Sequence, residues 1–315
     1  MASLNKKQDG PALGAKAKRR PAVSSLEYVG LVAFFVLPFF LQAIWSGQIQ
    51  QWISPLLRTK ISAPSQNATE DIDPSSPSLL EACHTHTYNT EIVSLDPLLI
   101  YINNFTSSAE AEALIKLGAP EFVDSYIARS NGANQKVSGR TSQSAPLDDD
   151  HPLVACILAR ARRFLGSMLL PSEPFSLPQL VRYHASQRYD LHTDFWPTHQ
   201  LMKDGSGRRY NRPASFFVFL RANCTGGETW FPNVDVLDGD GDRSESVEGL
   251  FGGKIGKATE RGKEKGVVFM PIVGNALFWV NIDGKGKGDR RMLHSGLPVG
   301  EGEKIGMNLW PRKFY

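Results

Sequence analysis

Only three cysteines, Cys83, Cys156 and Cys224, occur in 315 residues. They are too few and too scattered for a zinc site or a dense disulfide scaffold, and at most one bridge with one thiol left over can form. Charge of one sign is scarce as well, since 35 basic residues face 32 acidic ones for a formal net charge of +3. Lys6, Lys7, Lys16, Lys18, Arg19 and Arg20, against Asp9 alone, place that excess in the first twenty positions. A basic folded surface that tracks phosphates is therefore not indicated, and no nucleic-acid partner is expected. Internal repeats are lacking. So is the bias of a disordered or collagen-like chain, because 41% of residues are hydrophobic and 21% charged, enough for a sizeable core.

One long apolar run is present. Residues 28–45, YVGLVAFFVLPFFLQAIW, carry no formal charge and have the length that spans a bilayer. A cleavable signal is the competing reading, but Ala43-Ile44-Trp45 is a poor cleavage site. A buried helix would need folded partners, whereas the flanks are a basic tail and a polar segment. The expectation is a cytosolic tail at 1–27, one transmembrane anchor at 28–45, a lumenal linker at 46–90 and a folded domain at 91–315. By the positive-inside rule the protein would be single-pass in the endoplasmic reticulum or Golgi membrane, with that domain lumenal. Residues 60–80, rich in Ser, Pro and acidic side chains, read as an extended stalk.

Within the folded part, Ser107 followed by Glu110 is a capping-box pattern, and Gly118 stands where that helix would stop. A second helix follows Asp150 as cap, with Val154, Ile157, Leu158, Ala161, Phe164, Leu165 and Met168 at helical spacing. After Pro178 the pattern changes to short β-branched and aromatic runs punctuated by Gly, Pro, Asn and Asp. Strands are expected near 180–185, 191–196, 216–220, 228–231, 267–272, 275–281, 292–299 and 304–310. Eight short strands after a helical lead-in imply a mainly β jelly roll with helices outside one sheet. The polar, glycine-rich interruption at 233–266 reads as a lid or long loop.

In the strand around Leu191, alternation would send His192 and Asp194 to one face. His294, 102 residues after His192, can join them if the roll folds the two strands together. Two histidines and one carboxylate are the facial triad of a non-haem Fe(II) oxygenase. A turn at Pro298–Gly302 would return the chain beside the His294 strand and bring Lys304 into the same pocket.

Five ordered motifs add to this. They are Arg140-Thr141-Ser142; Tyr183 nine residues before His192-Thr193-Asp194; Gly226-Gly227-Glu228-Thr229; Gly274-Asn275-Ala276-Leu277-Phe278-Trp279; and His294 followed by Pro298-Val299, Lys304 and Trp310. Over roughly residues 95–312 the chain resembles the prolyl 4-hydroxylase family. The resemblance implies a double-stranded β-helix (jelly roll) with flanking N-terminal helices. It also implies Fe(II) on His192, Asp194 and His294, and 2-oxoglutarate as cosubstrate with its far carboxylate on Lys304, helped by the hydroxyls of Tyr183 and Thr229. O2 and ascorbate complete the implied set. The peptide proline would lie among Tyr189, Arg212 and Trp310, and the reaction would be 4-hydroxylation of proline in secretory-pathway polypeptides. Alternatives are an oxygenase acting on another side chain or a small substrate, and a non-catalytic jelly roll that binds peptide or glycan. Arg312, where some members have His, and Phe219, where many have Tyr, depart from the pattern and touch substrate choice. Sequence leaves open whether a partner subunit is needed.

Overall fold

Ser76 accepts the amide of Leu79 and Pro77 occupies the first helical position, so a helix starts where chain composition had suggested a stalk. The computed structural model describes residues 72–128, 134–135, 139–235, 251–260 and 263–315. In chain order these form α1 (Pro77–Thr85), β1 (Asn89–Leu95), β2 (Leu98–Asn103), α2 (Ser108–Gly118), β3 (Val123–Asp124), β4 (Ile127–Ala128), β5 (Asn134–Gln135), β6 (Gln143–Pro146) and α3 (Pro152–Leu165). Then follow β7 (Gln179–His184), β8 (Tyr189–His192), β9 (Gln200–Leu201), β10 (Arg209–Asn211), β11 (Ala214–Gly226), β12 (Thr229–Phe231), β13 (Ile255–Glu260) and β14 (Lys263–Phe269). The chain ends with β15 (Ala276–Val280), β16 (His294–Gly296), β17 (Val299–Leu309) and β18 (Lys313–Phe314).

An eight-stranded sheet runs β1-β2-β15-β11-β17-β7-β6-β3, and a five-stranded sheet runs β13-β14-β12-β16-β8. The jelly-roll expectation is met in this mainly β architecture. Period-two alternation explains the layering. Phe216, Val218 and Leu220 of β11, with Ile305, Met307 and Leu309 of β17, join one apolar cluster with Leu114 of α2 and Val154 and Ile157 of α3. Their alternates Phe217 and Phe219, with Val181, Tyr183 and Trp279, form a second cluster with Phe231 and Phe269 of the smaller sheet. Residues 214–220 are buried without a break because both faces of β11 are covered.

The helices are tied together by buried polar contacts. Ser107 and Glu110 close the expected capping box, and the Glu110 carboxylate also takes the Arg160 guanidinium at 2.7 Å. A disulfide joins Cys83 of α1 to Cys156 of α3, which leaves Cys224 as the free thiol. The α3 cap is His151, whose ring accepts the Leu153 amide, and not the expected Asp150. With Pro152 at the first helical position, the extended residue before it becomes the cap.

Several expectations are corrected. Residues 77–90 are not linker: Leu79 and Cys83 turn one face of α1 into the core, and the domain start expected at 91 lies inside β1. The 233–266 interruption is in part the hairpin β13–β14, which extends the smaller sheet, while 236–250 lie outside the described residues. The single-pass membrane placement is overturned. Among the described residues no helix is long and apolar enough to cross a membrane. The expected anchor at 28–45 and the tail at 1–27 lie outside those residues, so the endoplasmic reticulum or Golgi assignment has no structural footing.

Candidate active site

β16 pairs with β8 so that His294 stands directly opposite His192, and the two ring centroids are 4.3 Å apart. Asp194 does not lie in the strand as alternation had suggested. β8 ends at His192, and Asp194 sits in the bend beyond it, where other contacts aim its carboxylate. Ser215 Oγ donates to Oδ2 at 2.6 Å, and Trp310 Nε1 donates to the same oxygen at 3.0 Å. Asn281 Nδ2 in turn donates to Ser215 Oγ at 2.8 Å. Oδ1 faces His192 Nε2 at 3.8 Å. His294 Nε2 lies 3.9 Å from Oδ2.

The ligand atoms of His192, Asp194 and His294 all lie within 4.8 Å of one another, a spacing that could hold one metal ion. Each imidazole Nδ1 is directed at a main-chain carbonyl, Asp190 O for His192 at 2.8 Å and Met292 O for His294 at 2.9 Å. That sets the tautomer and leaves both Nε2 lone pairs to the centre. Burial and the adjacent His294 hold the His192 imidazole down to about 3, so it is neutral. Burial alone would raise the Asp194 carboxyl, but the two histidines and Arg212 bring it down to about 2, so it is ionised. Two imidazole nitrogens and a carboxylate fit a divalent iron.

The triad lines a cavity of about 280 Å³ together with Tyr183, Thr229 and Lys304. Lys304 is 1% exposed. Its ammonium donates to Gly227 O at 2.5 Å and lies 5.2–5.6 Å from the ring centroids of Tyr183, Phe217 and Phe219. A buried ammonium has three donors, so one carbonyl leaves it short of acceptors, and among the described residues Glu228 acts on it without forming an ion pair. The Thr229 hydroxyl, which lines the same cavity, has no hydrogen-bond partner among the described residues. Burial pushes the Tyr183 phenol up to about 12, which keeps it a neutral donor. A buried cation with two hydroxyls lining the same cavity fits the far carboxylate of a dicarboxylate.

Lys304 arrives by a route other than the expected turn. The chain switches sheets at Leu297–Pro298, and β17 begins at Val299, setting Lys304 opposite Tyr183 of β7 and Ala222 of β11. Gly227 makes room: its φ is +74°, and a Cβ there would lie 3.3 Å from Lys304 Cδ.

The three residues expected around a peptide proline are also brought to the cavity. Tyr189 stacks on the His192 ring at 3.6 Å. The Arg212 guanidinium lies between the rings of Trp196 and Trp310, at 4.4 and 3.7 Å. Trp310 is buried and its indole N–H is committed to Asp194, so it orients the triad as well as lining the cavity. Sequence reading missed Ser215 and Asn281. A serine inside the apolar run Ala214–Leu220 was the signal, since a polar group in a doubly covered strand needs a partner. Arg140 of the Arg-Thr-Ser motif lies over the Tyr189 ring at 4.7 Å.

The profile of the 2OG-Fe(II) oxygenase superfamily matches residues 178–312. Prolyl 4-hydroxylase 1 of Arabidopsis thaliana is 30% identical over 224 residues, 71% of this chain and 71% of that one. Prolyl 4-hydroxylase subunit alpha-3 of Mus musculus is 30% identical over 229 residues, 71% of this chain but 35% of its own length. Among solved structures, a viral collagen prolyl hydroxylase from Paramecium Bursaria Chlorella virus-1, in its 2OG complex, has a TM-score of 0.45 at 24% identity, covering 68% of this chain and 95% of that one.

Proposed function

Because the chain belongs to the prolyl 4-hydroxylase family, within the 2OG-Fe(II) oxygenases, we propose that it hydroxylates C4 of proline in a polypeptide. It is a dioxygenase that uses Fe(II), 2-oxoglutarate and O2, with ascorbate typical of its family. The alternative of a non-catalytic binding module is thereby set aside.

In this reading His192, Asp194 and His294 hold Fe(II), and Lys304 pairs with the far carboxylate of 2-oxoglutarate while Tyr183 and Thr229 donate to it. Bound there, iron and cosubstrate supply the oxidation, in which 2-oxoglutarate is converted to succinate and CO2 and one oxygen atom goes to the prime substrate. The chain's own contribution is position and dryness. Asn281 and Ser215 hold Asp194, the main-chain carbonyls of Asp190 and Met292 hold the imidazoles, and the aromatic walls exclude water. Tyr189, Trp196 and Trp310 offer faces against which a proline ring can pack.

The observation that carries the proposal is that one cavity holds both the triad and a buried lysine whose ammonium donates to a main-chain carbonyl and, among the described residues, forms no ion pair. The test is to incubate the purified chain with Fe(II), 2-oxoglutarate and ascorbate, with and without proline-rich peptides. Succinate release should depend on peptide, and the peptide should gain one oxygen atom on proline. His192→Ala, Asp194→Ala and His294→Ala should each abolish this and weaken metal retention. Oxygen found on another residue would replace the proline reading with the broader oxygenase one.

A further inference from the structure

Beside the cavity mouth lies a band of cations that the overall charge does not foreshadow. Phe195, Trp196 and Arg212 line the cavity, and the segment between them folds into a small sheet in which β10 pairs with β9 and β18. The loop 283–288 closes on the same edge. A Cβ at Gly288 would collide with the Phe195 ring, and one at Gly286 would lie 3.3 Å from Tyr315.

The guanidinium groups here stack on aromatic faces. Arg312 lies over Tyr210 at 4.8 Å, and Arg208 over Phe314 at 4.1 Å, continuing the Trp196–Arg212–Trp310 sandwich through the edge-to-face pair of Trp196 and Tyr210. A stacked guanidinium is held with its N–H edge turned outward, a geometry suited to carboxylate. Lys285 and Lys287 stand exposed on the adjoining loop. Carboxylates here are already engaged: buried Glu173 accepts the amides of Leu170 and Phe314. Among the described residues the ion pair in this band is Asp204 with Arg208, and Asp283 Oδ1 is engaged by the amides of residues 285 and 287. Arg312 is met instead by neutral groups, Ser176 Oγ and Met202 S. Since the net positive charge of the chain resides in its first twenty residues, this band is a local concentration rather than a share of a general excess.

We propose that the band docks an acidic stretch of the polypeptide that carries the target proline, with Asp or Glu carboxylates meeting Arg312, Arg209, Lys285 and Lys287 while the proline enters the cavity past Arg212. This rests on the peptidyl-proline reading above. Continuity with the mouth means that residues flanking the proline on one side lie along the cations, so charge near the proline sets the encounter rate and the specificity.

The experiment compares three peptides that share one target proline and differ only in flanking Glu, Gln or Lys residues. At low salt kcat/KM should fall from Glu to Gln to Lys, by about tenfold overall, and the spread should shrink as salt screens exposed charges. Arg312→Glu combined with Lys285→Glu and Lys287→Glu should reverse the order. The Lys285→Glu, Lys287→Glu pair alone, on an exposed loop, should narrow it if the triple variant fails to fold. Equal kcat/KM for the three peptides, or a preference for Lys, would overturn the docking role and leave proline hydroxylation standing. Oxidation of none of them would instead count against the proline reading, and fluorescence anisotropy of the same labelled peptides would still decide the charge preference. Tighter binding of a single-stranded oligonucleotide than of the Glu peptide would also overturn the proposal.

Discussion

Ser215 Oγ sits 2.6 Å from Asp194 Oδ2, 21 residues away in sequence and buried with it. The serine is held by Asn281, and the carboxylate oxygen it engages also takes the Trp310 indole. One edge of Asp194 is therefore committed to the protein and the other to the metal position. Ser215→Ala should weaken metal binding about 10- to 100-fold, the usual effect of losing such an orienting partner. Ser215→Thr should recover part of the loss. Anaerobic calorimetry with Co(II) reads this without turnover, and an unchanged affinity in Ser215→Ala would mean that Trp310 alone orients the carboxylate.

Lys304→Ala should raise the 2-oxoglutarate requirement about thirty-fold or more, since an unpaired buried charge costs roughly 2–5 kcal/mol. Lys304→Arg should restore part of it. Calorimetry of 2-oxoglutarate against the Mn(II)-loaded variants checks both, and equal affinity in Lys304→Ala would move the carboxylate site elsewhere.

The same lysine makes a pH prediction. Burial lowers its ammonium to about 8 in the folded protein, against an ordinary lysine value of about 10.4 in the unfolded chain. Between those values the unfolded chain holds a proton that the folded one has released, so this group's contribution to stability rises with pH across that window. Cosubstrate binding needs the charged form and should weaken above about pH 8. In Lys304→Arg that decline should be absent, which pH-dependent binding isotherms would reveal.

Arg160 is fully buried and binds both oxygens of Glu110 together with Phe105 O and Cys83 O. Glu110→Gln leaves that cation without its charge partner and should cost about 3–5 kcal/mol. The Glu110→Leu, Arg160→Met pair should recover most of it. Urea unfolding of the single and double variants gives both numbers, and additive losses would show that the pair is not coupled.

The Cys83–Cys156 bridge spans 73 residues. A loop of that length corresponds to about 4 kcal/mol of stabilisation in the chain-entropy account. Paired Cys83→Ala and Cys156→Ala substitutions should lower the unfolding midpoint accordingly. Because the bridge belongs to the helix-side cluster and the cavity to the inter-sheet one, peptide-dependent succinate release should survive at temperatures where the variant is folded. Loss of release in folded protein would tie the helix layer to the chemistry.

What the sequence determined by itself was local or strongly patterned. The Ser107–Glu110 box, the apolar period of α3 and the short apolar runs in β11 and β17 are each written locally, and the candidate site residues His192, Asp194, His294 and Lys304 were legible in residue type and motif spacing. What tertiary structure alone decided was which side chains meet across sheets and layers. Asp194 reaches the centre from a bend because Ser215 and Trp310 hold it there. Lys304 enters on the larger sheet because the chain changes sheets after Gly296. Arg160 finds Glu110, and Cys83 finds Cys156, only when three helices pack on one face. Such contacts join residues 20 to more than 100 positions apart, and their energies depend on burial that exists only after folding, so no local pattern encodes them.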